Sequence, residues 1–217
     1  MACCCSGFCG AVEGQFTREK AAKELVNYRR KGAPQTTRLL CDGVAQAGLA
    51  TATLLDIGSG IGALGFELLK RGLARATGVD ASSAYVAAAR EEAGRLGFLE
   101  VTQFVHGDFL SVANELPAAP VVTLDRVICC YPLYEPLLVE ALRHAQRCVA
   151  LSYPRGRWYV RLALAAENGV RRLAGNPFRT FVHSPAAMER LIRQAGFELF
   201  SRRQTLVWSV DVFLRRP

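Results

Sequence analysis

Short apolar runs and helical patterns alternate along the middle of the chain. The runs at 51–57 and 121–130 are nearly continuous in apolar residues, which is typical of strands buried on both faces of a sheet. Strands that alternate with amphipathic helices predict a doubly wound, Rossmann-like α/β fold with a mostly parallel sheet. The predicted strands here are 51–57, 75–80, 99–105, 121–130 and 149–153, and the predicted helices are 61–71, 82–96 and 135–147.

The N-terminal segment departs from this alternation. A basic amphipathic helix is predicted over 17–31, and a second helix runs from Thr36 or Thr37 to Gly48. Because both precede the first strand, we expect residues 16–50 to form a helical lid. Residues 1–15 are expected to be a disordered, cysteine-rich tail.

The C-terminal segment also has its own pattern. A helix is predicted over 158–173, followed by a polar and aromatic loop and a helix over 185–194. Segments 198–204 and 205–214 are typical of an antiparallel pair. The expected sheet therefore has seven strands and closes with an antiparallel C-terminal strand, and 154–217 form substrate-side helices and a closing hairpin.

Length and composition favour one domain, here residues 16–217, since 217 residues of which 51% are hydrophobic can bury a single sizeable core. No apolar run reaches the ~20 residues that span a bilayer. The start of the chain lacks the basic flank and apolar core of a signal peptide. We therefore expect a cytoplasmic protein.

The eight cysteines fall into two groups. Four lie in apolar segments and are expected to be reduced. The other four, Cys3, Cys4, Cys5 and Cys9, include no Cys-x-x-Cys pair and have no nearby histidine to complete a zinc site. No metal is therefore predicted, although a metal or metalloid site in this tail is the alternative.

The net charge of +8 is unevenly distributed. Seven lysines and arginines lie between Thr17 and Arg38, and twelve arginines lie between Arg155 and Arg216, whereas the centre is mildly acidic. Basic flanks around an acidic centre indicate an anionic substrate or a nucleic acid that approaches one side of the molecule. Solvated surfaces are the alternative.

A glycine-rich loop follows the first predicted strand, and its spacing fits two ligands. Residues 60–65 match Gly-x-Gly-x-x-Gly, the dinucleotide-binding pattern. Two residues earlier, the loop contains Asp56, Gly58, Gly60 and Gly62 at alternate positions. No Lys or Arg lies between residues 51 and 69, where a pyrophosphate would favour cations.

Acidic residues follow three successive predicted strands. Asp56, Asp80 and Asp108 each lie at or just after a strand end, where ligands of doubly wound sheets bind. Carboxylates attract a cationic ligand that bears adenosine more than they attract a dinucleotide. Asp125 is predicted to begin a strand, so we expect it to be structural and to lie outside the site.

With these motifs, residues 51–153 resemble the class I S-adenosylmethionine-dependent methyltransferase family. The matching segments are Leu54-Leu55-Asp56-Ile57-Gly58-Ser59-Gly60-Ile61-Gly62, Gly78-Val79-Asp80-Ala81-Ser82, His106-Gly107-Asp108-Phe109 and Leu124-Asp125-Arg126-Val127-Ile128-Cys129-Cys130-Tyr131-Pro132. The resemblance implies that 51–153 form a donor-binding core and that S-adenosyl-L-methionine is the cofactor.

The resemblance also implies roles for single residues. Gly58, Gly60 and Gly62 would hold the methionine part of the donor, and Asp80, followed by Ala81, would bind the ribose hydroxyls. In the same way, Asp108 would bind the adenine amino group and Phe109 would pack on the adenine ring. The Cys129 backbone would face the donor ammonium.

The acceptor side resembles the magnesium-protoporphyrin O-methyltransferase branch weakly, through a Tyr-Pro-Arg stretch after the fifth strand. The segment 129–132 departs from the Asp/Asn-Pro-Pro-aromatic motif of many amino-directed methyltransferases, which disfavours nucleic acid as the acceptor. The candidate catalytic residues are His183, as a base in an irregular loop, and Tyr131, which could orient an acceptor. The candidate substrate-binding residues are Phe16, Tyr28, Arg155, Arg157 and Trp158.

These observations together predict a methyltransferase that acts on a small-molecule acceptor. The acceptor is expected to carry an anionic or aromatic group, and an oxygen or carboxylate is slightly preferred as the accepting group. Three alternatives stay open: an RNA methyltransferase, an NAD(P)-dependent oxidoreductase, and a non-catalytic methyltransferase-like binding protein. Catalysis by methyl transfer can rest on proximity and alignment, with a base needed only if the acceptor must lose a proton.

Overall fold

The computed structural model describes residues 6–49 and 52–216. The strands are β1 Thr53–Ile57, β2 Arg75–Asp80, β3 Thr102–His106, β4 Ala119–Asp125, β5 Ala145–Pro154, β6 Phe197–Gln204 and β7 Trp208–Arg215. The helices are α1 Ser6–Gln15, α2 Arg18–Lys31, α3 Gln35–Gln46, α4 Ala63–Lys70, α5 Ser83–Leu96, α6 Phe109–Val112, α7 Tyr134–His144, α8 Trp158–Leu173 and α9 Pro185–Gln194.

One seven-stranded sheet organises the described part of the chain. Its strand order is β3-β2-β1-β4-β5-β7-β6. Strands β1 to β5 pair in parallel, and β7 lies antiparallel between β5 and β6. The predicted doubly wound sheet with an antiparallel C-terminal strand is confirmed. Its order reverses between β1 and β4, and the carboxyl ends of β1 to β5 form one edge, called here the carboxyl edge.

Apolar side chains cover both faces of the sheet. On one face, Leu137 and Leu138 of α7 pack with α6, α9 and the strands. On the other face, Leu40 of α3 and Phe66 of α4 pack with α2 and α5. All four of these side chains are fully buried. Because both faces are covered, the carboxyl edge is where a cleft forms beside the central strands.

Helix α3 corrects the expected extent of the lid. It contacts α4, β5 and β7, and its residues Leu40, Cys41 and Val44 are buried. Gly43 lies so close to Val212 of β7 that an added Cβ would be 2.6 Å from its Cγ2. Helix α3 is therefore part of a covering layer of the sheet, which leaves α1 and α2 as the N-terminal helices near the carboxyl edge.

Helix α1 shows that the prediction of a disordered tail over 1–15 is wrong from Ser6 onward. Phe8 and Val12 lie one helical turn apart, and Phe8 packs against Tyr131 with ring centroids 4.4 Å apart. Glu13 accepts a hydrogen bond from the backbone N–H of Ser83 at 3.0 Å. Cys3, Cys4 and Cys5 lie outside the described residues.

The end of β4 corrects a second prediction. The apolar run 121–130 is a strand only as far as Asp125, and a 3-10 turn follows at Ile128–Cys130. Arg126 ends the strand, since its φ of 62° lies in the left-handed region. Asp125 therefore lies at the carboxyl edge beside the cleft, and the expectation that it begins a strand was wrong.

Smaller differences lie at element ends. A 3-10 turn, Leu99–Val101, precedes β3, and β5 starts at Ala145, where a helix was predicted to continue to Arg147. Helices α8 and α9 have the predicted bounds. No helix in the described ranges is long and apolar enough to cross a membrane.

Candidate active site

The glycine loop after β1 depends on backbone conformations that glycine adopts most easily. Gly58, Gly60 and Gly62 have φ values of 66°, 56° and 81°. A Cβ on Gly58 would lie 2.3 Å from Cγ2 of Val127. The loop is fixed to the next strand, because the N–H of Gly58 donates to the carbonyl of Val79 at 2.7 Å. Its backbone is thus held rigidly at the carboxyl edge.

Asp80 ends β2 directly beside this loop. Its Oδ2 accepts from the N–H of Gly60 and its Oδ1 from the N–H of Ser82, both at 2.8 Å. Burial raises the pKa of this carboxyl, while the two backbone hydrogen bonds act in the opposite direction. The loop and the carboxylate therefore form one unit.

Asp56 and Asp125 add two more carboxyl groups. Asp56 is buried and its Oδ1 accepts from Oγ1 of Thr123 at 2.6 Å. Burial raises the pKa of Asp56 to about 7, and the charges of Asp125 and Asp80 act in the same direction. Asp125 accepts from the hydroxyl of Thr37. This edge favours a ligand with positive charge.

Asp108 and Phe109 follow β3. The Tyr131 hydroxyl donates to Oδ1 of Asp108, whereas the buried Oδ2 has no hydrogen-bond partner within residues 6–49 and 52–216. Phe109 is buried and meets the ring of His144 edge-to-face. A buried carboxylate oxygen without a donor is costly, so this position suits a ligand that supplies an N–H.

Two adjoining cavities lie along the carboxyl edge. One, called the aromatic cavity, has a volume of about 330 Å³, and the other, called the polar cavity, about 430 Å³. Their shared lining residues are Glu24, Gly58, Gly60, Asp125 and Arg126.

The aromatic cavity is bounded by residues from distant parts of the chain. The end of β2 supplies Asp80, the start of α6 supplies Phe109, α1 supplies Phe8, and the C-terminal segment supplies Arg171 and Phe178. The other aromatic lining residues are Phe16, Tyr85, Tyr131 and Trp208. Such a mixture of apolar walls with a few polar groups is typical of a small-molecule site.

The polar cavity contains charges of both signs. Lys31 and Arg38 line it together with Asp56, Asp125 and Glu24. A zwitterionic group, with one carboxylate and one ammonium, matches such a lining. Tyr28 lines this cavity too, but its hydroxyl donates to Glu67 at 2.8 Å and accepts from Lys70 at 3.0 Å.

The structure brings together most of the residues that were predicted to bind the donor. Gly58, Gly60, Asp80, Ala81 and Phe109 all line the aromatic cavity, as does Cys129. The Cys129 carbonyl accepts from the N–H of Phe181 at 2.7 Å, which leaves its second lone pair for the expected contact to an ammonium. Asp108 and Gly62 line neither cavity, and Gly62 is the N-cap of α4.

The two candidate catalytic residues have other partners. His183 lies outside both cavities, and its Nε2 is 2.9 Å from the carbonyl of Tyr131, to which it must donate. Burial lowers the pKa of His183. The Tyr131 hydroxyl is engaged by Asp108, and burial raises its pKa. This geometry gives His183 a loop-anchoring position and gives Tyr131 a place in the cavity wall, beside Asp108.

Of the predicted substrate-binding residues, only Phe16 lines the aromatic cavity. Its ring meets Tyr85 and Phe178 edge-to-face, at 5.5 and 5.3 Å. Arg155, Arg157 and Trp158 line neither cavity. The Arg155 guanidinium instead donates to the carbonyl of Thr205, and Trp158 is 76% exposed. These three lie outside the cavities because Arg155 is held by the hairpin, whereas Arg157 and Trp158 are exposed at the start of α8.

Several lining residues were missed by sequence reasoning. Phe8 and Val12 lay in the segment expected to be disordered, although their spacing of four residues was a signal. Arg171 and Phe178 lie on a helix and in a loop whose orientation depends on tertiary packing. Asp125 and Arg126 also line the cavity, and this could not be predicted because the end of β4 was placed too late in the sequence.

Comparison with known proteins agrees with this geometry. Residues 54–151 match a family model described as a methyltransferase domain. This match places a methyltransferase domain in residues 54–151, in agreement with the ordered motifs by which residues 51–153 resemble class I S-adenosylmethionine-dependent methyltransferases. A comparison with curated proteins finds no match.

Solved structures share the fold. The chain is similar to magnesium protoporphyrin IX methyltransferase from Synechocystis with bound S-adenosylmethionine, with 17% identity, 99% and 100% of the two chains covered and a TM-score of 0.69. An O-methyltransferase family protein from Burkholderia thailandensis has 18% identity, 92% and 63% coverage and a TM-score of 0.67. A TehB-like methyltransferase from Corynebacterium glutamicum has 16% identity, 92% and 98% coverage and a TM-score of 0.63. At these identities the likeness concerns the fold.

Proposed function

We propose that this enzyme transfers the methyl group of S-adenosylmethionine to a small-molecule acceptor in the aromatic cavity, and that the accepting atom is an oxygen, with a carboxylate favoured. The observation that carries the proposal is the lining of this one cavity. It combines Asp80 and Phe109 from the strand ends with Phe8 from α1 and Arg171 from α8. Donor-side and acceptor-side groups therefore surround the same space.

The chain's own residues fit the donor. We assign the ribose hydroxyls to Asp80 and the adenine to Phe109 and Asp108, whose unpartnered Oδ2 lacks a donor that the adenine amino group can supply. The glycine loop would approach the methionine part closely, since it has no side chains. Lys31 and Arg38 of the polar cavity suit the donor carboxylate. When bound, the donor supplies an electrophilic methyl group on a sulfonium.

The partners of Arg171 support an anionic acceptor. Its Nη1 donates to the Thr180 hydroxyl at 2.8 Å and its Nη2 to Glu167 at 2.5 Å, and its guanidinium lies over the ring of Phe178. Its Nε–H has no acceptor among the described residues. A guanidinium that is held in place and keeps a free N–H is suited to orient a carboxylate.

A carboxylate acceptor also fits the positions of the candidate bases. Carboxylic acids are ionised near neutral pH, so such an acceptor needs no proton removed before attack. Since His183 and Tyr131 are engaged elsewhere, their roles in this proposal are positional. Tyr131 orients Asp108, and His183 anchors the loop 174–184 to the turn after β4.

Transfer of a labelled methyl group tests the proposal. Purified enzyme with methyl-labelled donor is incubated separately with a small-molecule cell extract and with total RNA. We expect label in the small-molecule fraction, and mild alkaline hydrolysis should release it as methanol if it is an ester. Label in RNA alone would favour the RNA methyltransferase alternative, and absence of transfer to either, with donor still bound, would favour the non-catalytic one. The cytoplasmic location stays a prediction.

A further inference from the structure

Helix α8 exposes an apolar face to solvent. Trp158, Leu162, Val170 and Leu173 are 76%, 64%, 66% and 92% exposed. They lie on one side of the helix, and the exposed residues between them on that side are Ala165, Ala166 and Gly169. Amphipathic helices of globular proteins normally turn such a face to the core. This surface, from Trp158 to Leu173, is called here the α8 face.

The opposite side of α8 packs against the rest of the protein. Val160 is buried, and Leu164, Glu167 and Arg171 line the aromatic cavity. The residues that line the cavity therefore do not belong to the α8 face. No described residue covers the α8 face, which extends over a helix of 16 residues or roughly 24 Å.

The tip of the hairpin between β6 and β7 extends this surface. Leu206 and Val207 are 74% and 37% exposed. The Tyr159 hydroxyl donates to the carbonyl of Leu206 at 2.9 Å. The N–H of Arg155 donates to the carbonyl of Val207 at 2.8 Å. The start of α8 and the hairpin tip are therefore fixed to each other, side by side.

The charged side chains that α8 and its N-cap place beside the α8 face are positive. Arg157, Arg161 and Arg172 are exposed beside it. The only acidic residue of α8 is Glu167, which lies on the cavity side and pairs with Arg171 at 2.5 Å. An isologous contact between two copies would have to bring these arginines together without facing carboxylates, which is unfavourable. An anionic partner fits the surface.

We propose that the α8 face docks on an anionic lipid surface. A helix that combines exposed Trp and Leu side chains with flanking arginines is suited to lie in the plane of a membrane interface. Tryptophan favours the headgroup level, and each arginine near an anionic leaflet strengthens the attraction. Because the other side of α8 forms a wall of the aromatic cavity, docking would place that cavity next to the bilayer.

Vesicle co-sedimentation tests the proposal without reference to catalysis. The whole protein is mixed with vesicles of phosphatidylglycerol and phosphatidylcholine in equal parts, or of phosphatidylcholine alone. We expect pelleting only with the anionic vesicles and release by high salt. Trp158 emission should shift to shorter wavelength on binding, and this shift should be absent in Trp158→Phe.

Matched variants locate the surface. Leu162→Glu combined with Leu173→Glu should abolish pelleting, whereas Leu99→Glu, at an apolar side chain that is 56% exposed elsewhere, should not. Arg161→Gln and Arg172→Gln should each lower the partition coefficient about fivefold. Unchanged melting temperatures would show that these variants fold.

Three results would overturn the proposal. The first is no pelleting, and the second is equal pelleting with both vesicle types. The third is a dimer in solution that the Leu162 and Leu173 substitutions dissociate while vesicle binding is absent, which would make a second copy the occupant.

Discussion

The donor side and the acceptor side of this active site are built in different ways. In our assignment the donor side consists mainly of strand ends and the turns that follow them, from Asp56 to Phe109, and the polar cavity adds Lys31 and Arg38. The acceptor side combines α1 with α8 and the loop that contains Phe178, which are more than 140 residues apart in sequence. The donor side is thus fixed by the sheet, whereas the acceptor side is fixed by packing between the two ends of the chain.

Because of this difference, we expect substitutions on the two sides to have different effects. A parallel sheet constrains backbone positions at its carboxyl edge, because every strand is hydrogen-bonded to its neighbours. Helices and loops that meet through side chains can change without disturbing the sheet. We therefore expect substitutions on the donor side to affect folding and donor binding together, and those on the acceptor side to affect acceptor use alone.

The largest effect is expected at Gly58. Gly58→Ala places a Cβ 2.3 Å from Val127 at a φ of 66°, so it should lower the free energy of unfolding by about 2 kcal/mol or more. Donor binding should fall below detection in calorimetry. Gly169→Ala, where nothing lies within 4 Å of the added Cβ, is the control and should leave both quantities unchanged or slightly improved. Normal donor affinity in Gly58→Ala would contradict the assigned role of the loop.

The next effect concerns Asp80. Asp80→Asn removes the charge that accepts two backbone hydrogen bonds and, in our assignment, the ribose hydroxyls, so donor affinity should fall about 100-fold. Asp42→Asn, at a surface carboxylate paired with Arg71, is the matched control. Equal affinities for the two variants, measured by calorimetry, would remove Asp80 from the site.

A smaller and more selective effect is expected at Arg171. Arg171→Gln should raise the KM for the acceptor about tenfold, because a charged hydrogen bond to the acceptor is lost, and should leave the donor Kd unchanged. Arg193→Gln removes a similar pair with Glu189 on α9 and should change neither constant. If Arg171→Gln weakened the donor instead, the separation of the two sides would be wrong.

The smallest effect is a pH dependence that arises from Asp56. Its pKa of about 7 means that the carboxyl ionises as the pH rises from 6 to 8, and the ionised form attracts the cationic donor. The affinity for S-adenosylmethionine relative to S-adenosylhomocysteine, which lacks the sulfonium charge, should rise several-fold over this range. In Asp56→Asn the ratio should be flat.

The same group makes an opposite contribution to folding. Its pKa in the folded protein lies above that of an unfolded aspartate, so the folded state holds the proton more tightly. The contribution of Asp56 to stability is therefore largest at low pH and is lost as the pH rises through about 7. A melting-temperature series with and without Asp56→Asn measures it, and an identical series for the two proteins would contradict this assignment.

The sequence was most informative where local rules determine geometry. Strand-and-turn patterns predicted the sheet and the positions of Asp80 and Asp108, because acids at strand ends must converge at one edge of a parallel sheet. The role of Phe109 was implied by the family resemblance alone. The patterns failed at Asp125, since an apolar run continued past the true strand end and concealed the left-handed Arg126. They also failed at Phe8, because a tail rich in cysteine hid a helical spacing.

The acceptor side could not be predicted in the same way. Arg155 and Trp158 follow a strand and were expected in the site. The orientation of α8, however, turns Trp158 to solvent, and the side of the helix that carries Leu164 and Arg171 faces the cavity. That orientation depends on tertiary contacts, such as the one between Tyr159 and Leu206, which no local pattern encodes.

The most direct test of the account is calorimetric titration of the wild-type protein with S-adenosylhomocysteine, with NADPH titrated in parallel. We expect one site per chain with micromolar affinity for S-adenosylhomocysteine, weakened in Asp80→Asn but unchanged in Arg171→Gln, and no heat of binding with NADPH. Binding of NADPH without binding of S-adenosylhomocysteine would contradict the central claim that the carboxyl edge holds a methyl donor.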